Sequence, residues 1–163
     1  MAQYWLDSNV FIEAKDGPYS FDILPDFWVW LEQQAVTGII CSSSMVYEEL
    51  LAGNDDLAAW VRARKDCGLF ILPDQSVQTK FTEIADYVKR RYDDANSALF
   101  LERADPWVIA HASCDGGTVI THESLVPENS RKAKIPNVCN QFRVKWANTY
   151  GMLRDLKPRF RLS

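Results

Sequence analysis

Apolar residues along the chain fall into two kinds of pattern, short runs rich in strand formers and longer stretches with helical spacing. We predict strands at residues 3–6, 38–41, 69–72, 118–121 and 144–147. We predict helices at residues 25–36, 44–52, 54–65, 76–92, 96–103, 105–115, 138–142 and 149–156, and a loop at residues 124–137. Because strands alternate with helices, the pattern indicates an α/β fold with a parallel sheet covered on both faces.

Polar residues mark the ends of several of these elements. The first strand ends in Asp7-Ser8-Asn9, which we interpret as a turn. The serines at 42–44 are N-cap candidates for the helix that follows them. Asp105 is predicted to be the N-cap of a helix with Pro106 at its first position, and Gly116-Gly117 to end that helix.

Length and composition indicate one globular domain. The chain has 163 residues, 47% of them hydrophobic, and no apolar run approaches the roughly 20 residues of a membrane helix. We therefore expect a single domain over residues 1–163, in the cytoplasm and without membrane contact. The four cysteines, Cys41, Cys67, Cys114 and Cys139, form no C-x-x-C pair, which favours buried free thiols in a reducing compartment.

Charge is distributed unevenly along the chain. Residues 1–130 carry nine Lys and Arg against 21 Asp and Glu, a net charge of −12. Residues 131–163 carry nine against one, a net charge of +8, and the whole chain therefore has the net charge of −4. Such asymmetry indicates either a contact with a polyanion or a solvated basic segment that balances an acidic body.

Acidic residues follow the predicted strands, at the edge where a parallel sheet binds its ligand. Asp7 follows the first strand, Glu48 and Glu49 come one to two helical turns after the second, and Glu123 follows the fourth. Asp105 begins the helix before that fourth strand. A carboxylate cluster repels itself unless a hard divalent cation neutralises it, and oxygen ligands suit Mg²⁺ or Mn²⁺. Taken singly, each acid also has a structural explanation as a turn, N-cap, solvated helix face or loop residue.

Four segments carry a further signal: residues 4–12, YWLDSNVFI; residues 42–53, SSSMVYEELLAG; residues 104–112, ADPWVIAHA; and residues 118–123, TVITHE. In this order they resemble the signature blocks of PIN-domain nucleases. The resemblance implies a three-layer α/β/α sandwich with a mainly parallel central sheet, and Mg²⁺- or Mn²⁺-dependent cleavage of RNA. Many bacterial members, such as the VapC-type toxins, belong to toxin–antitoxin pairs, which implies an antitoxin protein and a homodimer as partners.

The resemblance also implies a set of site residues. The catalytic and metal-binding acids would be Asp7, Glu49, Asp105 and Glu123, with Ser8, Asn9 and Thr121 as supporting residues. Glu49 is favoured over Glu48 because the family's glutamate stands directly before a leucine. The fourth block commonly ends in Asp where this chain has Glu123, so the number of bound ions, one or two, stays open.

Basic residues near the predicted site are expected to contact the substrate. These are Arg131, Lys132 and Lys134, with His122 as a further contact, whereas His111 is expected to be packed in the core.

We predict that the protein is a metal-dependent ribonuclease that hydrolyses RNA phosphodiester bonds, and the toxin of a type II toxin–antitoxin system. One alternative is a catalytically weak PIN scaffold that binds RNA or a partner protein. Others are a structure-specific DNA nuclease and a phosphatase-like or response-regulator use of Asp7, with Lys145 as its companion lysine.

Overall fold

The computed structural model describes residues 2–161, in which five strands alternate with nine helices. The strands are β1 (Tyr4–Leu6), β2 (Ile40–Ser43), β3 (Phe70–Ile71), β4 (Thr118–Ile120) and β5 (Lys145–Ala147). The helices are α1 (Ser8–Asp16), α2 (Pro25–Val36), α3 (Ser44–Leu51), α4 (Asp56–Ala63), α5 (Gln75–Arg91), α6 (Asp94–Leu101), α7 (Asp105–Asp115), α8 (Ile135–Gln141) and α9 (Thr149–Leu156).

The strands form one parallel sheet in the order β3-β2-β1-β4-β5. In its central register Trp5 lies between Cys41 and Val119. The strand order reverses direction at β1, so the carboxyl ends of β1 and β4 border the crevice where such sheets bind ligands. The predicted α/β fold with a parallel sheet is confirmed.

Helices cover both faces of the sheet. On one face α7 packs against β1, β2 and β4, and α5, α6 and α8 pack against α7. A second group consists of α1, α3 and α4, with α2 and α3 against β2. The central strand β1 is buried throughout, and Leu6, Ile109 and Ile120 are fully enclosed in the core. This burial explains why β1 is apolar without alternation.

Two glycines follow α7. They end the helix, as the sequence predicts, and the second one allows β4 to lie close to β1. Gly116 is the C-cap in the left-handed conformation, with φ 70°. A Cβ atom at Gly117 would stand 2.9 Å from the carbonyl oxygen of Ala2 and 3.0 Å from Trp5. Position 117 therefore requires glycine for β4 to approach β1.

Several predicted elements were wrong in detail, among them the helix predicted at 96–103, which is observed at Asp94–Leu101. The Asp7-Ser8-Asn9 turn is instead the start of α1, a helix that the sequence pattern missed, because Asp7 caps it. The loop predicted at 124–137 ends early, since α8 begins at Ile135 and carries its proline in the first turn, where a missing N–H costs nothing. The second strand lies two residues later than predicted.

The described cysteines are all free thiols. Cys41 and Cys139 are buried as expected, but Cys67 is only partly buried and Cys114 is exposed. Within residues 2–161, no helix combines the length and the apolar character that a membrane crossing needs.

Candidate functional site

Asp7 directly follows the central strand β1 and stands at the carboxyl edge of the sheet. As the N-cap of α1, its Oδ1 accepts a hydrogen bond of 2.7 Å from the backbone N–H of Ser8. Its Oδ2 accepts a hydrogen bond of 3.1 Å from the Thr121 hydroxyl at the end of β4. These two contacts fix the carboxylate, and since a carboxylate has about four acceptor positions, Asp7 keeps capacity for further ligands.

The environment of Asp7 disfavours its charge. The residue is 3% exposed, and burial raises the pKa of its carboxyl group well above the ordinary value. The negative charges of Asp105 and Glu123 raise this pKa further, whereas the hydrogen bonds from Thr121 and Ser8 lower it. A carboxylate in such a place needs a proton or a cation as its partner.

Asp105 is the first residue of α7 and is buried, but it does not cap the helix. The N-cap is Ala104, which makes no side-chain cap, so the predicted capping role of Asp105 was wrong. The reason is local: the chain already turns at Ala104, whose carbonyl accepts a 2.9 Å hydrogen bond from the backbone N–H of Trp107.

The Asp105 carboxyl group is electrostatically coupled to the other acids. Burial raises its pKa to about 7, with further contributions from the negative charges of Glu123 and Glu49. The guanidinium group of Arg103 opposes this shift. Asp105 thus joins the same cluster as Asp7.

Glu49 reaches the cluster from α3 and connects three helices. Its Oε2 accepts a hydrogen bond from the hydroxyl group of Ser8, at the start of α1. Its Oε1 accepts a 2.6 Å hydrogen bond from the backbone N–H of Ala104, next to α7. Glu48 is exposed to solvent. Of the two adjacent acids, the structure therefore brings Glu49 to the cluster. Glu49 is the acid that the sequence analysis favours because it stands directly before a leucine.

Glu123 is the fourth acid of the cluster, and it also serves the fold. Its Oε2 accepts a 2.7 Å hydrogen bond from the backbone N–H of Ile135, the first residue of α8. Its charge contributes to the raised pKa of both Asp7 and Asp105, after burial. One of its oxygens is therefore engaged by the backbone.

Three polar residues, Ser8, Asn9 and Thr121, lie beside the acids. Ser8 contacts both Asp7 and Glu49. Thr121, which is 1% exposed, also accepts a 3.1 Å hydrogen bond from the backbone N–H of Glu123. Asn9 accepts a 3.2 Å hydrogen bond from the backbone N–H of His122 and stands 3.5 Å from the Thr121 hydroxyl, so it joins α1 to the segment after β4.

The chemistry of this cluster suits a hard divalent cation. Among residues 2–161, none of the ion pairs involves the four clustered acids, which are Asp7, Glu49, Asp105 and Glu123. In the described part of the chain, no group of three or more His, Cys, Asp or Glu side chains is placed to hold an ion directly. Mg²⁺ keeps several waters and takes one or two carboxylates. Asp7 and Asp105 fit such a hydrated ion, whereas a cage of four direct ligands does not fit.

A cavity of about 230 Å³ opens beside the acids, and we call it the cationic cavity. Asp105 and Glu123 form its acidic side, and Arg103, Lys132 and Lys134 provide its positive charges. Positive side chains beside a carboxylate cluster attract an anionic ligand that the acids alone would repel. Lys132 and Lys134 thus lie in the same cavity as Asp105 and Glu123.

The other predicted contacts lie elsewhere. Arg131 is exposed and is outside the lining of the cationic cavity. His122 faces away from the acids, with its ring nitrogens against Glu13 and Thr149. His111 is buried and stacks on Trp5 with ring centroids 4.5 Å apart, so its expected packing is confirmed.

Sequence reasoning missed Arg103, which lines the cationic cavity and lowers the pKa of Asp105 against the larger effects of burial and of the other acids. Its only sequence signal is its position two residues before a predicted ligand. Because it lies outside the basic segment 131–163, charge distribution could not single it out.

Comparisons with known proteins support this fold. A family model described as "Domain of unknown function (DUF4411)" matches residues 4–160. No curated protein matches the chain significantly. A solved structure similar to this chain is the 2.2 Å resolution structure of VapBC-1 from nontypeable Haemophilus influenzae, with 17% sequence identity and a TM-score of 0.53. That match covers 89% of this chain and 96% of the other, and at this identity it shows a shared fold.

Proposed function

The chain belongs to the DUF4411 family, whose description states no activity, and we propose that this member is a Mg²⁺- or Mn²⁺-dependent ribonuclease that hydrolyses RNA phosphodiester bonds. One observation carries the proposal. Two buried carboxylates, Asp7 after β1 and Asp105 at the start of α7, lie at the carboxyl edge of the sheet with the half-buried Glu49 and Glu123 beside them. The negative charges of these neighbours add to burial in raising the pKa of Asp7 and of Asp105, and among the described residues none of the four acids forms an ion pair with Lys or Arg.

In this proposal each group has a distinct task. Asp7 and Asp105 would hold the ion, and the chemistry that such an ion would supply is a lowered pKa of bound water and stabilisation of the charge that develops on the phosphate. Ser8 and Thr121 orient Asp7 through its two oxygens. Glu49 would orient the start of α7 through the hydrogen bond that it accepts from the backbone N–H of Ala104.

The positive side chains bind and orient the substrate. Arg103, Lys132 and Lys134 line the cavity next to Asp105 and would hold the phosphates that flank the scissile bond. Neutralising phosphate charge at this place lets a polyanion approach a site that is otherwise negative.

We further propose that the protein is the toxin of a type II toxin–antitoxin system, with RNA, an antitoxin protein and a second copy of the chain as partners. The support is the resemblance of four segments to PIN-domain nucleases, and the fold shared with a chain of the VapBC-1 structure.

Induced expression in a heterologous bacterium tests this function. We expect growth arrest and new, discrete RNA ends with the wild type, and neither with Asp7→Asn. Glu48→Gln is the matched control, because Glu48 is an exposed acid next to Glu49 and should remain toxic. Arrest with intact RNA, or arrest that persists in Asp7→Asn, would contradict the proposal.

A scaffold without catalysis is the second candidate, and a specific observation favours it. Glu49 and Glu123 each give one oxygen to a backbone N–H, and no three-ligand group is preformed among residues 2–161. Calorimetric titration with Mn²⁺ separates the two functions. A nuclease should bind Mn²⁺ in the wild type and lose at least about tenfold in affinity in Asp7→Asn, whereas a scaffold should show no difference.

A further inference from the structure

A second cavity, of about 320 Å³, opens at the same edge of the sheet as the acid cluster. His122 lines this second cavity, while its neighbour Glu123 lines the cationic cavity. Its other polar and aromatic lining comes from α1, the turn after α1 and the start of α9, namely Glu13, Asp16, Tyr19, Thr149 and Tyr150. The segment after β4 thus contributes to both cavities.

The His122 ring is held rigidly in this second cavity. Its Nδ1 lies 3.1 Å from Oε2 of Glu13, and its Nε2 lies 2.8 Å from the hydroxyl oxygen of Thr149. A neutral ring with its proton on Nδ1 satisfies both contacts, because Nδ1 then donates to Glu13 and Nε2 accepts from Thr149. The ring is therefore a fixed aromatic surface.

Two tyrosines extend this aromatic surface. The Tyr150 ring lies nearly perpendicular to the His122 ring, at 79° with centroids 6.3 Å apart, and Tyr150 is 46% exposed. Tyr19 is partly buried and also lines the cavity, close enough to Tyr150 that the two influence each other. Exposed aromatic rings next to a nucleic-acid site commonly stack on unpaired bases.

The charge of the second cavity is opposite to that of the cationic cavity. Glu13 and Asp16 are both exposed acids at its wall, and Asp16 is the one paired with a lysine, Lys15, at 3.1 Å. The contact with His122 uses Oε2 of Glu13, and a carboxylate has about four acceptor positions. Carboxylates repel phosphates but accept hydrogen bonds from the amino groups of bases.

We propose that the second cavity is a nucleobase subsite, which takes an unpaired base with an exocyclic amino group, cytosine before uracil. The inference rests on the proposed function, because it makes the second cavity part of the path of the same single-stranded RNA. The base stacks on the exposed Tyr150 ring, with the nearly perpendicular His122 ring against its edge, and its amino group donates to Glu13. The phosphates of the same strand lie toward Arg103, Lys132 and Lys134. A cavity of this volume is within the usual range for a small ligand.

Two oligonucleotides test this assignment. Hexacytidylate and hexauridylate carry the same phosphate charge. Each cytosine has an amino group at position 4 and an acceptor nitrogen at position 3, whereas each uracil has a carbonyl group at position 4 and an N–H at position 3. We would measure their binding to the full-length wild type by fluorescence anisotropy in EDTA, where cleavage is blocked, and check both strands for integrity afterwards. We expect hexacytidylate to bind about fivefold or more tightly than hexauridylate.

Variants locate the preference. Glu13→Gln should remove the preference for cytidylate, because an amide presents a donor and an acceptor equally. Tyr150→Ala should weaken the binding of both strands about tenfold, and Tyr150→Phe should retain it because the ring remains. Glu48→Gln, on α3, should leave both affinities unchanged.

Equal binding of the two strands by the wild type would overturn the inference. It would also be overturned if acetylarginine amide bound in a Glu13-dependent way while neither strand did, since the cavity would then fit a basic peptide. The failure of the proposed nuclease is distinguishable, because binding is measured without metal. A cytidylate preference without any cleavage in Mn²⁺ would refute the nuclease alone, and cleavage indifferent to base would refute the subsite alone.

Discussion

The Thr121 hydroxyl donates its proton to Asp7 and thereby joins the carboxyl ends of β4 and β1. The direction of this bond is fixed by the other neighbours of the hydroxyl. The side-chain amide of Asn9 and the backbone N–H of Glu123 are both donors, so the hydroxyl oxygen accepts from them and its single proton points to Asp7. The hydrogen-bond network that orients Asp7 therefore also includes the backbone of Glu123.

Replacing Thr121 by valine keeps the shape of the side chain and removes this donor. We expect Thr121→Val to lower RNA cleavage by about 10- to 100-fold, because groups that orient metal ligands have effects of this size. It should also raise the pKa of Asp7 further, since the Thr121 hydrogen bond is one of the contacts that lower it. Thr121→Ser restores the donor and should restore cleavage, measured as initial rates in Mn²⁺. Unchanged cleavage in the valine variant would contradict a role of Thr121 in positioning Asp7.

Mutual repulsion of the acids should make the site a source of instability in the metal-free protein. Asp105→Asn removes one charge from the cluster, and we expect it to raise the free energy of unfolding in EDTA at pH 8 by about 1 kcal/mol or more. In Mn²⁺ the wild type should gain stability and the variant should gain less. Urea denaturation in both buffers measures these two differences in the free energy of unfolding. Glu102→Gln, an exposed neighbour on the same stretch, is the control, and lower stability of Asp105→Asn in EDTA would contradict the repulsion.

Stability of the metal-free protein should fall as pH rises from about 4 to 8. Burial, followed by the neighbouring acids, raises the pKa of Asp105 to about 7 and raises that of Asp7 above its ordinary value. Between the unfolded and folded pKa values the folded state binds more protons than the unfolded state, so its stability decreases with increasing pH. Denaturation midpoints in EDTA across this range check the slope. In Asp105→Asn the slope should be shallower, and an identical slope would be inconsistent with a shifted Asp105.

Adjacent glutamates on α3 should differ in their effect on activity. Glu49→Gln removes the negative charge; its amide oxygen can still accept from the backbone N–H of Ala104, but its amide nitrogen is a donor, so the Ser8 hydroxyl must accept instead of donate. We expect at least about a tenfold loss of cleavage rate. Glu48→Gln changes an exposed side chain and should stay within about twofold of the wild type. Equal effects of the two substitutions would mean that Glu49 acts only through the fold.

Much of the fold could be predicted from the sequence because its elements have strong local signals. The last helix, residues 149–156, was predicted at its observed bounds, and all five strand runs correspond to strands of the sheet. The start of α1 was missed because Asp7, Ser8 and Asn9 are typical of both a turn and a helix start. The start of α8 was missed because prolines and asparagines are common in loops and equally acceptable in a first helical turn.

The candidate site could be predicted as a set of acids but not as a network. Strand-end positions and the family resemblance identified Asp7, Asp105 and Glu123, and the leucine after Glu49 distinguished it from Glu48. Contacts between distant segments, such as the hydrogen bond from the backbone N–H of Ala104 to Glu49, have no local pattern. They arise only when the folded chain brings α3 next to the start of α7.

Cleavage of one single-stranded RNA and the DNA strand of the same sequence, with Mn²⁺ or with EDTA, tests the central claim most directly. The proposed function predicts cleavage of the RNA in Mn²⁺ and intact DNA. It also predicts loss of RNA cleavage in EDTA, in Asp7→Asn and in Asp105→Asn, while Glu48→Gln remains active. Equal RNA cleavage by wild type, Asp7→Asn and Asp105→Asn, or no cleavage by any of them, would contradict a metal-dependent ribonuclease at this carboxylate cluster.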